Sequence, residues 1–432
     1  MPTRRAALLL LLGALPALAA IARPGLWLAV AGFDLLVLAA LLADALRAPR
    51  PGSVLAERLL REPLAAFLEN PVVLRLRSRL AVPVALEVAD APPATFASEQ
   101  HRTRLALAAG GSAAHAYAVH PRERGRHAFG DLHLRAAGPW GLWARQWRVA
   151  LAREVLVYPD LRARAGAAAP GAAAPGSAVR GGFAEGREFE SLRSYVPGDD
   201  VRTVDWKATA RRGAPVVREL RPERDQTLWL LLDCGRQLAA RLADGRTKLD
   251  AAVDAALALA RAAVDRGDRV GCLLLGAELG SVLAPARGRG QLGALAEALA
   301  GARARPEEPD WAVAFDALQA RQSRRALVVV FTDLADPDQS ALLLARTAAL
   351  RRRHLPWVVA VADSALADAA RAEPASEAEA YARLAAERIL AERDLAAARL
   401  QAAGVRVLSV PARELAGRVV SGYLELKARG RL

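Results

Sequence analysis

Hydrophobic and polar positions follow different periods in different parts of this 432-residue chain. Near the start they hardly alternate: residues 6–22 form one apolar run, and residues 26–46 form a second, interrupted by Asp34 and Asp44. Roughly 20 apolar residues span a bilayer as a helix. The two runs, joined by the short segment "RPG", therefore predict a two-helix transmembrane hairpin within residues 1–50.

Basic residues lie at the two outer ends of this hairpin, and only Arg23 lies in its connection. Loops rich in Lys and Arg remain on the cytoplasmic side, so we expect a multi-pass protein of the inner membrane, with both termini and the soluble domains in the cytoplasm. A cleaved signal peptide would explain the first run but not the second. The flanking residues are Arg4, Arg5, Arg47, Arg50, Arg58 and Arg61.

Residues 51–162 change to period two, in short runs such as "VVLRLRS" and "VPVALEV" that are punctuated by Gly and Pro. This alternation predicts a small β-sandwich. Its histidines have no zinc-motif spacing, and we expect them to be structural. Residues 163–182 are rich in Ala, Pro and Gly without hydrophobic periodicity, which predicts a flexible linker.

The remainder, residues 183–432, alternates apolar runs with helical segments, which predicts a doubly wound parallel sheet. The predicted strands are "TLWLLLDC", "RVGCLLLG", "RALVVVFTD", "PWVVAVAD" and "VRVLSV". The predicted helices cover residues 248–266, 291–302, 311–322, 338–353, 375–402 and 412–428.

Acidic residues follow three of these strands. Because parallel strands bind ligands beyond their carboxyl ends, we expect Asp233, Asp333 and Asp363 to share one edge of the sheet. The Gly-rich text "APARGRGQLG" lacks the Gly-Lys-Ser/Thr of a phosphate loop. An aspartyl-phosphate mechanism usually has a second acid two positions later, where this chain has Gly235.

Composition narrows the choice of partner and compartment. The formal net charge is +14, but the arginines are dispersed and not interleaved with aromatic residues, so we expect no nucleic-acid binding. We also expect no small-molecule substrate. Cys234 and Cys272 lie in apolar runs, where two buried thiols suit a reducing compartment.

The most varied segment is "ESLRSYVPGDDVRTVDWKATARR", from Glu190 to Arg212. Its Pro-Gly pair predicts a turn, the acids after it are suited to accept backbone N–H groups, and its tryptophan offers a large apolar surface. Two interpretations stay open: a loop braced by its own ion pairs, or an edge that docks a partner. The candidate docking residues are Tyr195, Pro197, Gly198, Asp199, Asp200, Arg202, Asp205, Trp206 and Arg211.

The longer text "REFESLRSYVPGDDVRTVDWKATARRGAPVVRE", with "GPWGLW" and "VLVYPDL" before it, resembles the bacterial family called domain of unknown function 58. That resemblance implies a membrane hairpin over residues 6–46, a β domain and a von Willebrand factor A-like domain. It also implies a MoxR-type AAA+ ATPase as partner and a role in assembling or activating other complexes. No catalytic residue is implied.

The chain departs from the metal site of von Willebrand factor A-like domains, in which the strand-end Asp is the first residue of the pattern Asp-x-Ser-x-Ser. Gly235 and Gln237 replace the two serines, and Pro309 stands near the expected threonine. Only the acids Asp233 and Asp333 remain of that pattern. Mg²⁺ needs several oxygen ligands, so we expect weak or absent metal binding and no cofactor. A non-enzymatic adaptor is therefore the favoured function, and a metal-dependent enzyme or sensor acting through the strand-end acids is the alternative.

Overall fold

The computed structural model describes residues 1–159, 187–196, 204–222, 225–430 and 432. The chain divides into two compact units, Met1–Tyr158 and Pro159–Leu432. The linker predicted over residues 163–182 lies outside the described residues.

The first unit begins with two helices, α1 (Arg4–Ala22) and α2 (Trp27–Arg47), joined by a 3₁₀ turn. They pack closely: a Cβ atom at Gly13 would come within 2.9 Å of the Phe33 ring. Within the part of the chain that the structure describes, α2 alone is long and apolar enough to cross a membrane. One candidate span is thus present, and the predicted two-span hairpin is not confirmed.

The rest of the first unit is all β. Two four-stranded sheets, in the orders β1-β3-β7-β5 and β10-β9-β4-β6, bury their inner faces in one core, beside a small sheet β2-β11-β8. Leu74 of one sheet and Leu134 of the other are fully buried in it, as alternation requires. The strands are β1 Val54–Leu60, β2 Leu64–Ala65, β3 Asn70–Ser78, β4 Val84–Ala89, β5 Phe96–Ser98, β6 Arg102–Leu107, β7 Ser112–Pro121, β8 Gly125–Phe129, β9 Leu132–Ala137, β10 Ala144–Val149 and β11 Arg153–Tyr158.

Arg58, which the sequence predicts to flank the membrane, lies inside the β domain instead. Arg58 is only 5% exposed and lies inside the β domain, where its Nε donates to the Asp90 carboxylate at 3.0 Å. The Tyr117 hydroxyl donates to the same carboxylate. A buried charge needs a partner, so Arg58 serves the fold of the β domain and adds nothing to the orientation argument.

The second unit begins with an antiparallel hairpin that surrounds a short helix: β12 (Arg187–Ser194), α3 (Trp206–Arg212) and β13 (Val216–Pro222). A six-stranded sheet follows, in the order β16-β15-β14-β17-β18-β19. Its strands are β14 Thr227–Asp233, β15 Arg269–Leu275, β16 Leu279–Ala286, β17 Leu327–Thr332, β18 Leu355–Ala362 and β19 Arg406–Pro411. Its helices are α4 Lys248–Val264, α5 Gly288–Ala300, α6 Trp311–Arg321, α7 Pro337–Leu350, α8 Ser364–Arg371, α9 Glu377–Ala402 and α10 Ala412–Ala428.

The predicted doubly wound sheet has one further strand, which is antiparallel, at its edge. The five predicted strands are present and parallel, but β16 pairs antiparallel with β15 and makes the sheet mixed. The residues of β16 are half-buried or exposed, and it includes Pro285. Such a strand carries no continuous apolar run, so the pattern that marks covered strands does not reveal it.

Candidate functional site

The order of the six-stranded sheet places a crevice between two strands. Numbered from β14, the order is 3-2-1-4-5-6, so the chain winds one way from β14 to β15 and the other way to β17. Doubly wound sheets bind ligands at this reversal, beyond the carboxyl ends of the strands. Asp233 ends β14 and Asp333 directly follows β17, so both acids stand at the crevice.

Asp233 is buried at this point, and each of its carboxylate oxygens accepts a hydrogen bond. It is 2% exposed; one carboxylate oxygen accepts from the Gly235 N–H at 2.7 Å, and the other from the Thr332 hydroxyl at 2.7 Å. Burial raises the pKa of Asp233 to about 6, and the negative charge of Asp333 adds to that rise. The side chain is therefore a weaker acid than an exposed aspartate, and both of its oxygens already accept hydrogen bonds from neighbouring residues.

Asp333 is held by two cationic side chains. Its Oδ2 accepts from the Lys248 ammonium at 2.7 Å and from the Arg393 guanidinium at 2.6 Å, and its Oδ1 accepts from the Leu334 N–H at 2.7 Å. Lys248 is 3% exposed and its ammonium also lies 3.9 Å from the Asp363 carboxylate. Lys248 thus joins two of the three acids that the sequence places at this edge.

The loop before α6 is attached to the end of β14. Arg305 N–H donates to the Cys234 carbonyl at 2.8 Å, and Arg236 N–H donates to the Glu307 carbonyl at 2.9 Å. The Arg236 side chain pairs with Glu308 and, at 2.9 Å, with Asp336. Backbone bonds and ion pairs of the chain itself therefore fix the rim of the crevice.

The residues at the crevice do not fit the metal site of von Willebrand factor A-like domains. A Cβ atom at Gly235 would lie 2.8 Å from Pro309 and 2.9 Å from the Glu307 carbonyl, so a serine there would force the loop to move. The Asp333 carboxylate is neutralised by Lys248 and Arg393. Among the described residues, no group of three or more His, Cys, Asp or Glu side chains is placed to hold a metal ion.

The described parts of the varied segment, residues 190–196 and 204–212, are tied to the strand β13 and the residues just before it by hydrogen bonds. Tyr195 N–H donates to the Pro215 carbonyl at 2.9 Å, and the Asp205 carboxylate caps α3 by accepting from the Ala208 N–H at 3.0 Å. The Val216 N–H donates to the Thr209 hydroxyl at 3.1 Å, which ties α3 to β13. Five of the candidate docking residues lie outside the described residues: Pro197, Gly198, Asp199, Asp200 and Arg202.

Trp206 stands out on this hairpin because it is 68% exposed, and no residue of α3 is buried. Lys207, Arg211 and Arg212 of the same helix are also exposed. Tryptophan is usually largely buried in a folded protein. The helix thus presents a large aromatic side chain among cationic ones while its backbone is capped at both ends.

Two residues of the site, Lys248 and Arg393, were not predicted from the sequence. Lys248 follows Thr247, which forms a capping box with Asp250 and so fixes Lys248 in the first turn of α4. The one feature of the sequence that sets Lys248 apart is that lysine is rare: the chain is rich in arginine and has three lysines. Arg393 gave no signal, because it lies in a helix with many charges.

Comparison with known proteins finds one family that part of the chain resembles. Residues 191–371 match the family model described as "Protein of unknown function DUF58". We call the residues that match this model, 191–371, the DUF58 region. The predicted resemblance is thereby confirmed, and this region contains Trp206, Asp233, Lys248 and Asp333, whereas Arg393 lies beyond it.

Relatives of the DUF58 region include the uncharacterized protein Rv1480 of Mycobacterium tuberculosis strain H37Rv. It is 36% identical over 187 residues, which cover 41% of this chain and 56% of that protein. The chain thus spans about half the length of the curated relatives it matches.

Two solved structures are among those similar to part of this chain. BatB from Bacteroides thetaiotaomicron is 11% identical and covers 47% of this chain and 99% of its own, with a TM-score of 0.30. The SpRpn10 VWA domain is 12% identical and covers 46% of this chain and 94% of its own, with a TM-score of 0.29. Both are von Willebrand factor A-like neighbours, although scores this low add nothing to the sheet order described above.

Proposed function

We propose that this chain is a membrane-anchored, non-enzymatic adaptor whose DUF58 region docks a protein partner. The partner implied by the resemblance is a MoxR-type AAA+ ATPase, and the role is assembly or activation of other protein complexes. The observation that carries the proposal is the 68% exposure of Trp206 on a hairpin fixed by its own hydrogen bonds.

The chemistry of this hairpin suits binding. Tryptophan and arginine are enriched among the residues that dominate interface energies, because each buries a large surface and keeps hydrogen-bonding capacity. A preformed surface also loses little conformational entropy when a partner binds. Lys207, Arg211 and Arg212 are exposed on the same short helix as Trp206, so a complementary surface would combine an apolar pocket with acidic groups.

The crevice supports a binding role over catalysis. An aspartate acting as nucleophile or base must reach its substrate, whereas Asp233 is 2% exposed and accepts two hydrogen bonds from its own chain. A metal-dependent enzyme or sensor, the alternative function, needs free oxygen ligands. Asp333 instead accepts from Lys248 and Arg393.

The apolar surface of α2 supports the membrane anchor. Leu28 is 85% exposed and Leu36 is 72% exposed, which is costly in water and favourable in hydrocarbon. We place this span in the inner membrane, with α1 as a second span and the DUF58 region in the cytoplasm, because the flanking arginines lie at the outer ends of the helix pair.

Affinity purification of the full-length protein from its native membranes tests the adaptor role. We expect an AAA+ ATPase to co-purify with wild type and to be reduced about tenfold or more with Trp206→Ala, the loss expected of a central aromatic contact. Tyr381→Ala is the matched control, since Tyr381 is 66% exposed on α9.

Three results would count against this proposal. Equal recovery with wild type and Trp206→Ala would remove the docking role of the hairpin. Equal loss with both variants would show a general surface effect. Recovery that requires Mg²⁺ and is abolished by Asp233→Ala would favour the metal-dependent alternative.

A further inference from the structure

The base of the α1–α2 helix pair is attached to one turn of the β domain, residues 138–143. At the amino terminus, the Ala144 N–H donates to the Met1 carbonyl at 2.8 Å, and the Thr3 N–H donates to the Leu142 carbonyl at 2.9 Å. The Thr3 hydroxyl donates to the Gly141 carbonyl at 2.6 Å. The first residues of the chain thus continue the β structure and lead directly into α1.

The other end of the pair is attached more tightly, through Asp44 in the last turn of α2. Its carboxylate has no exposed surface and accepts three backbone N–H groups of the turn, at 2.7 to 2.8 Å. Gly138 makes room for it, since a Cβ atom there would lie 2.4 Å from the carboxylate. Arg145 also donates to the Ala45 carbonyl at 3.1 Å. The three donors are Trp140, Leu142 and Trp143.

These contacts determine where the turn lies relative to the bilayer. The apolar part of α2 ends at Leu46, and Asp44 is already bonded to the turn. A helix leaves the hydrocarbon where its apolar residues end, and the headgroup layer begins there. Once α2 spans the membrane, residues 138–143 lie at the level of the lipid headgroups.

Cationic and aromatic side chains gather at this level. Arg4, Arg5, Arg47 and Arg50 are exposed, and the Arg47 guanidinium lies 5.1 Å from the centre of the Trp140 ring, which is itself 47% exposed. Residues 1–50 contain two acids, Asp34 and Asp44, and the Asp44 carboxylate already accepts backbone N–H groups of the turn. The group is therefore strongly positive. We name it the basal collar: Arg4, Arg5, Arg47, Arg50 and Trp140.

We propose that the basal collar is a binding site for the headgroups of anionic phospholipids. The proposal rests on the membrane anchoring proposed above. Arginine pairs with phosphate oxygens through two parallel N–H donors, and tryptophan prefers the headgroup layer. Each basic residue held near an anionic leaflet adds to the attraction. Because Asp44 and Thr3 fix the turn, the collar is built before lipid arrives.

The test uses full-length protein purified in dodecyl maltoside. Phosphatidylglycerol or phosphatidylcholine is added, and bound lipid is counted by native mass spectrometry while the thermal unfolding midpoint is followed. We expect phosphatidylglycerol to bind more tightly and to raise the midpoint more. The variant Arg4→Gln/Arg5→Gln/Arg47→Gln should lose about fivefold in that preference for each charge removed.

A matched control removes the same charge from the second unit: Arg371→Gln/Arg388→Gln/Arg413→Gln, whose side chains are 79%, 81% and 82% exposed. It should keep the wild-type preference. The proposal is overturned if the two lipids bind wild type equally, or if the collar variant keeps its preference, or if the control loses as much.

Carbonate extraction of membranes separates this proposal from the anchor on which it rests. Release of wild-type protein by carbonate would refute the anchor itself. Retention of wild type in the membrane, together with equal binding of the two lipids, would refute the basal collar alone. Circular dichroism of the collar variant distinguishes loss of lipid binding from loss of folding.

Discussion

At the scale of single residues, the positions of the few lysines indicate where the chain needs a buried cation. The chain has three lysines, and two of them end on buried carboxylates: Lys248 on Asp333 at 2.7 Å and Lys427 on Asp268 at 2.5 Å. An ammonium is a compact point charge on a flexible stem, which suits a narrow buried position. The third lysine, Lys207, lies exposed beside Trp206.

Removing the Lys248 charge should destabilise the DUF58 region. Lys248→Met leaves Asp333 buried with Arg393 as its remaining cation, and breaking a buried pair costs about 3 kcal/mol. Urea unfolding of the full chain should show a loss of that order, partly recovered in Lys248→Met/Asp333→Asn. Arg388→Met, which removes a cation 81% exposed, should change the free energy of unfolding by less than about 0.5 kcal/mol. Equal stability of Lys248→Met and wild type would refute the role of Lys248.

The protonation of Asp233 should appear in the pH dependence of stability. Its pKa is raised from 3.8 to about 6 by burial, so the folded state binds this proton more tightly than the unfolded state. Protonated Asp233 therefore contributes about 3 kcal/mol to the free energy of unfolding. This contribution is fully present below pH ~4 and is lost as the pH rises through ~6.

Asp233→Asn should abolish that part of the pH dependence. Its amide oxygen accepts from Gly235 and its amide nitrogen donates to Thr332, so it resembles the protonated acid. Calorimetry in detergent should find the variant at least as stable as wild type at pH 7.5. A marked loss there would mean that the ionised carboxylate is required. Asp368→Asn, at an acid 79% exposed, controls for the loss of charge alone.

At the scale of elements, continuous apolar runs predicted the covered parallel strands because such strands are buried on both faces. The pattern could not reveal β16, which is half-exposed, or the hairpin β12–β13. Strand-end positions predicted Asp233 and Asp333, since topology brings parallel strand ends together. The cations that bind Asp333 come from α4 and α9. Whether these side chains reach Asp333 depends on how the two helices pack on the sheet, which local sequence does not encode.

The attachment of α2 to the β domain gives a prediction for one element. Asp44→Asn keeps the shape but replaces one acceptor oxygen by an N–H donor that faces backbone N–H groups. Hydrogen exchange of the amides in residues 140–143 should quicken by about tenfold or more, since bonds to a charged acceptor contribute about 1.5–3 kcal/mol.

Asp131→Asn is the control for this exchange measurement. The Asp131 carboxylate accepts from the Leu151 and Ala152 N–H groups at 3.2 Å each. Its variant should loosen those amides and leave residues 140–143 protected. Unchanged exchange at 140–143 in Asp44→Asn would show that the turn does not depend on the carboxylate.

At the scale of the whole molecule, the chain combines an apolar helix attached to a β domain with a DUF58 region that exposes a fixed aromatic hairpin. The crevice of that region is closed by its own ion pairs. This combination supports an anchor that presents a binding surface. We therefore expect a partner to bind at Trp206.

Site-specific photo-cross-linking in living cells tests that claim most directly. A photoreactive phenylalanine derivative replaces Lys207, next to Trp206, or Leu384, which is 61% exposed on α9, in the full-length protein. We expect position 207 to cross-link an AAA+ ATPase, identified by mass spectrometry, and position 384 to give no such product. The same ATPase cross-linked from both positions, or from position 384 alone, would show that the partner does not dock specifically at Trp206.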